Sequence, residues 1–171
     1  FGEEVGEAGM DEEGFSGRDG RTTIFDWWSV GSVRRLRKVI ESGAYKTLNV
    51  AELVKAGLKH EEAEVFCRFA EVVRLAASDP AIRQGTTYDL CYCNMPSDGF
   101  DKHRHFAFLR NNEGHTLLVA VNFSSTEACM KLVIPEHAFE WMQIPVSEDM
   151  HPGSVIEVTI PPMDAKVITL I

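Results

Sequence analysis

The chain has 171 residues, 26 acidic against 17 basic, giving a formal net charge of −9, and 44% of its residues are hydrophobic. That length supports a real core, since a chain of about 150 residues buries roughly two thirds of its unfolded surface. The acid excess excludes a nucleic-acid ligand, which needs clustered Lys and Arg, and no apolar run approaches the roughly 20 residues of a membrane-spanning helix.

Residues 1–7, Phe-Gly-Glu-Glu-Val-Gly-Glu, read as a strand end passing into a glycine-rich loop that approaches something closely. Residues 10–20 are turn formers that need a scaffold around them. A short helix is predicted over 31–40, stopped by Gly43. Its Arg34, Arg35, Arg37 and Lys38 alternate with Val33, Leu36, Val39 and Ile40, so the one dense basic cluster reads as a solvated helix face. Asn49 caps a second helix, Val50 to Ala56, which Gly57 ends.

The clearest helix runs from about Lys59 to Ala77, where Val65, Phe66, Phe69, Val72, Val73 and Ala76 recur at three- and four-residue spacing. Glu61, Glu62, Glu64, Arg68, Glu71 and Arg74 fall mostly on the other side. Burying a large apolar side chain is worth about 1.5–3 kcal/mol, so the stripe is expected to pack on the following domain or on a second copy of the chain. Asp79-Pro80 breaks the helix.

After Gly85 the pattern becomes β, with short strands expected at 87–93, 104–111, 115–123, 128–134, 154–160 and 165–171. Asn111-Asn112-Glu113-Gly114 marks a hairpin, and the apolar run 117–123 marks a central strand. The fold expected is α+β: an N-terminal loop and helices over 1–85, then an antiparallel sandwich or Greek-key domain over 86–171.

Cys67, Cys91, Cys93 and Cys129 contain no CxxC pair and read as small core side chains or surface thiols. His103 and His105 would share a strand face, but two imidazoles without a third ligand make a poor metal site, so no metal and no cofactor are expected.

Gly2-Glu3-Glu4-Val5-Gly6 resembles the last barrel strand of the α-amylase family of glycoside hydrolases, written aromatic-x-Gly-x-Glu-x-Gly. Arg18-Asp19-Gly20-Arg21-Thr22 sits where that family carries an Arg-Asp-x-x-Arg-Thr element. Further along, Asp79-Pro80-Ala81-Ile82 resembles the exit from its final barrel helix. Asn122-Phe123-Ser124 and Ile134-Pro135-Glu136-His137-Ala138-Phe139 resemble signatures of its C-terminal β-domain.

The resemblance implies a parent enzyme that cleaves α-1,4-glucans such as starch with retention, using three acids on earlier barrel strands. A TIM barrel typically needs about 250 residues, so residues 1–85 would be only its closing remnant. No catalytic residue is then expected in this chain, and the rest of the barrel would be its partner. By the same resemblance Arg21 reaches the sugar, or else pairs with Asp19 or Asp26 to shape the loop. Trp27 or Trp28 stacks on a glucosyl face or packs on the next helix, and Glu4 lies at the barrel mouth in a binding or a structural role. A self-associating fragment is a further expectation. A different reading makes the chain a carbohydrate-binding module, with Trp27, Trp28, Tyr88, Tyr92 and Trp141 as stacking candidates. A third is a purely structural β-domain.

Overall fold

The computed structural model describes residues 2–7 and 31–171. It is an α+β structure that divides into two compact units, residues 1–77 and 78–171.

In the first unit the opening residues form a single 3-10 turn, Glu3–Val5, and not the expected strand end. Gly2 and Gly6 flank it with φ of 88° and 66°, in the left-handed region that favours glycine. The turn closes on itself through Val5 N–H to Gly2 O (3.1 Å), Gly6 N–H to Glu3 O (3.0 Å) and Glu7 N–H to Gly2 O (2.9 Å). A Cβ at position 2 would lie 2.6 Å from the Glu7 Cβ, so the close approach read from the sequence is made by the chain to itself.

Helix α1 spans Gly31–Ser42, and a 3-10 turn, Ala44–Thr47, leads to α2, Val50–Ala56. The Asn49 side chain accepts from Glu52 N–H, the N-cap bond that starts α2. Helix α3 spans His60–Ser78. The core joins Val5, Leu36, Val39, Leu53, Leu58, Ala63 and Cys67, with Phe66 packed against it. Only the first two turns of α3 supply that core. Of the expected stripe, Val65, Phe69, Val72 and Val73 lie outside the first-unit core and are exposed, with Val72 the most open at 65%.

The second unit begins with α4, Pro80–Gln84, capped by the Asp79 carboxylate, which accepts from Ala81 N–H (2.8 Å) and Ile82 N–H (3.2 Å). Its last carbonyls are taken by Arg110, whose Nε donates to Ala81 O (2.9 Å) and Nη2 to Ile82 O (2.7 Å). Six strands follow: β1 Thr86–Asp89, β2 His105–Asn112, β3 His115–Asn122, β4 Ala128–Val133, β5 Val155–Ile160 and β6 Asp164–Thr169. Between β4 and β5 the Ile-Pro segment forms a helix, α5, Glu136–Met142.

The strands make a four-stranded sheet in the order β1-β2-β3-β6 and a two-stranded sheet of β4 and β5, antiparallel throughout. Asn112 pairs with His115 across the two-residue turn Glu113-Gly114, where φ is 51° and 92° as a primed hairpin turn requires. β3 lies inside its sheet, and Leu117, Leu118, Val119 and Ala120 are all buried. One core takes Leu109 and Leu118 from the larger sheet, Met130, Leu132, Val158 and Ile160 from the smaller, and Ala138, Phe139 and Met142 from α5.

Buried Asn122 explains the Asn-Phe-Ser segment. Its amide donates to Thr126 O (2.8 Å) and lies within bonding distance of Ile160 O and Pro161 O (3.2 and 3.0 Å), while its oxygen accepts from Ser124 N–H (2.9 Å). The end of β3 is thereby fastened to the end of β5. Asn94 does the same at the other end of the smaller sheet, accepting from Val133 N–H (2.8 Å) and donating to Leu90 O (2.8 Å).

Candidate functional site

Of the residues singled out from sequence, Asp19, Arg21, Trp27 and Trp28 lie outside the described residues. Glu4 is half-buried on the 3-10 turn. Among the cavities of the described structure, one in the first unit gathers paired charged side chains and one in the second gathers aromatic ones.

The first is a cavity of about 350 Å³ whose lining includes Glu7, Ser32, Arg35, Lys59, Glu61 and Glu62. Two of its three carboxylates, Glu7 and Glu62, are engaged. Glu7 accepts from the Ser32 hydroxyl. Glu62 is buried and receives Arg35 in a bidentate fork, Nε to Oε2 at 2.8 Å with Nη2 on Oε1. Its Oε2 also accepts from Lys59 N–H (2.9 Å), the backward bond of an N3 glutamate that starts α3. The Arg35 bonds, helped by that N–H, outweigh burial and hold the Glu62 carboxyl below the usual range. Retaining glycoside cleavage needs one carboxylic acid held protonated, with a raised pKa. Glu62 is tuned away from that acid role, and Arg35 with the Lys59 N–H occupies both oxygens that a nucleophile would need free. The cavity is a structural clasp, and it corrects two expectations, since neither Arg35 nor Glu62 is a solvated helix charge.

His103 and His105 do not form a pair on a strand. β2 starts at His105, whose Nδ1 accepts from Asp101 N–H (3.0 Å) and whose ring meets Phe100 edge-on at 5.8 Å. Burial pushes the His105 pKa down. Among the described residues no three His, Cys, Asp or Glu side chains are grouped to hold a metal ion. Cys91 and Cys93 also leave the strand register, because β1 ends at Asp89. Burial pushes the Cys91 thiol up to about 11.

The second place is an open cleft of about 490 Å³ in the second unit, lined by Thr87, Tyr88, Asp89, Tyr92, His137 and Trp141. Tyr88 comes from β1 and is 8% exposed, so it forms the floor. Around it stand Tyr92 (ring centroids 6.1 Å, planes 58° apart), Trp141 (6.0 Å, 50°) and His137 (5.7 Å, 46°). Tyr92 and Trp141 are 61% and 54% exposed.

The Tyr88 hydroxyl bonds both the Tyr92 hydroxyl and His137 Nδ1, the latter at 3.0 Å. With His137 in its Nε2–H tautomer, a donor chain runs from Tyr92 through Tyr88 to Nδ1 and leaves Nε2–H as the remaining imidazole donor. Burial, and then the Tyr92 bond, push the Tyr88 pKa up, so the floor is neutral. Asp89 is anchored beside it by accepting from Cys91 N–H (2.8 Å). Tyr88, Tyr92 and Trp141 were visible as stacking candidates, and the structure brings these three together. His137 was missed, although its spacing of four from Trp141 places the two on one face of α5.

No family model matches the chain, and no curated protein matches it. Solved structures do. They include AmyP in complex with maltose (13% identity, TM-score 0.46, covering 66% of this chain and 21% of that one). A second is the ligand-free cyclic α-maltosyl-(1→6)-maltose hydrolase from Arthrobacter globiformis (14%, 0.43, 99% and 26%). A third is isomaltulose synthase from Klebsiella sp. LX3 (15%, 0.37, 90% and 22%). The chain spans between 21% and 26% of the length of these structures.

Proposed function

We propose that the chain is the C-terminal part of a retaining glycoside hydrolase acting on α-1,4-glucans, and that this part is itself catalytically silent. The observation that carries the reading is the residue match of Gly2-Glu3-Glu4-Val5-Gly6 to the aromatic-x-Gly-x-Glu-x-Gly pattern. Both glycines hold left-handed φ, and a side chain at position 2 would collide with Glu7. The glycines of the motif are therefore required by the backbone geometry of a 3-10 turn, where the pattern implies a strand end. The pairing of Glu7 with Ser32 and of Glu62 with Arg35 supports the silence of the fragment.

In the complete enzyme Asp19, Arg21, Trp27 and Glu4 contribute to the substrate site, and the rest of the barrel supplies the acids that break the bond. The β-rich residues 86–171 form the sandwich-like appendage of that barrel. A purely structural role for this appendage is the competing reading, and the exposed Tyr92 and Trp141 rings speak against it.

The test is to incubate the chain with soluble starch and follow reducing ends. No release is expected, whereas release that Glu7→Gln or Glu61→Gln abolishes would overturn the silence. The sequence preceding Phe1 in the full-length protein checks the rest of the reading. Absence there of an aspartate and a glutamate at successive barrel-strand ends, followed by a further aspartate, would sink it.

A further inference from the structure

We propose that the cleft of Tyr88, Tyr92, His137 and Trp141 is a saccharide-binding site that holds an α-linked glucan chain by stacking on Trp141 and Tyr92. The choice of an α-glucan rests on the function proposed above; the choice of a saccharide rests on the cleft alone.

Its volume, about 490 Å³, falls within the roughly 300–1,000 Å³ usual for small-molecule sites. Two large rings stand more than half exposed over a buried, hydrogen-bonded floor, an arrangement that leaves apolar surface in water in the absence of a ligand. Among the described residues its lining holds no Lys or Arg and one carboxylate, Asp89, a charge balance that does not favour phosphates and other anions. An apolar peptide would cover the Tyr92–Tyr88–His137 hydroxyl chain without offering it polar partners.

A pyranose satisfies both demands, since its C–H face lies on an aromatic ring while its rim hydroxyls donate to Asp89 and accept from His137 Nε2. Tyr92 and Trp141 are each tilted from the Tyr88 floor, by 58° and 50°.

The test is calorimetric titration of the full chain with maltoheptaose and with cellohexaose. Maltoheptaose is expected to bind and cellohexaose not. Trp141→Ala, and separately Tyr92→Ala, should each weaken binding by about tenfold, the upper range of one aromatic contact, with circular dichroism melts unchanged. Two exposed positions are used so that a folding defect in one variant leaves the other to decide.

No heat from either sugar, or maltoheptaose binding untouched by both variants, would overturn the site. Equal binding of cellohexaose would overturn the α-glucan assignment. Self-association abolished by Trp141→Ala, with no sugar bound by the parent chain, would show that a second copy occupies the cleft and would also overturn it. None of these outcomes bears on starch hydrolysis, so failure here is distinct from failure of the proposed function.

Discussion

His115 sits where three segments of the second unit meet. Its Nε2 lies 3.0 Å from Asp79 Oδ2 and its Nδ1 3.2 Å from the Ile171 carbonyl oxygen. The bond to Asp79 raises the His115 pKa above its ordinary value despite burial. For Asp79 burial pushes upward, but the His115 bond and the N–H groups of Ile82 and Ala81 outweigh it and leave the carboxyl below its ordinary value. The histidine therefore contributes stability that is complete below about pH 6.5 and is lost as pH rises through its folded value. The aspartate contributes stability that is present above about pH 4 and is lost as pH falls through its folded value. Both contributions coexist near pH 5–6, roughly. The melting-temperature gap between the wild-type chain and His115→Gln should be widest there and narrow toward about pH 8. A gap that stays constant over this range would show that charge has no part in the contact. The same scale shows what a sequence conceals. Arg35 and Glu62 looked like outward charges on two amphipathic helices, because helical periodicity says which face a residue occupies and not what the next helix brings to it.

Helix α3 is the element whose length was legible and whose buried face was not. Its limits, His60–Ser78, follow from its periodicity and from the Asp79-Pro80 stop. The face that packs is the one carrying Glu62, Ala63, Phe66 and Cys67, because the first-unit core reaches only the start of the helix and a paired glutamate can be buried. Val72→Lys and Val73→Lys are accordingly expected to shift unfolding free energy by no more than about 0.5 kcal/mol, as surface substitutions do, in urea denaturation of the chain. A loss of several times that size would mean the stripe is covered in solution. The strands were easier to read. β2, β3 and the turn between them follow from alternation and Asn-Asn-Glu-Gly, and β3 is interior as its apolar run demands. The opening segment failed as a strand because Gly2 and Gly6 both take left-handed φ, and period-two reasoning carries no information on φ. The cleft was half legible: its aromatic side chains stood out, but only the pairing of β1 with β2 and the short helix α5 bring Tyr88 beside His137.

Over the whole molecule the two cores are built from separate stretches of chain, one within residues 1–77 and the other within 78–171. In the second, the contact of His115 with both Asp79 and Ile171 holds the first and last residues of the fold a few ångströms from one imidazole. Chain ends that meet in this way can be sewn together and the ring reopened elsewhere. A circular permutant of residues 78–171, with a short glycine bridge from 171 to 78 and new ends at the exposed His151-Pro152-Gly153 bend, should keep the far-ultraviolet dichroism spectrum of the unpermuted segment. Loss of that spectrum would show that chain order, as well as contact, holds this fold together.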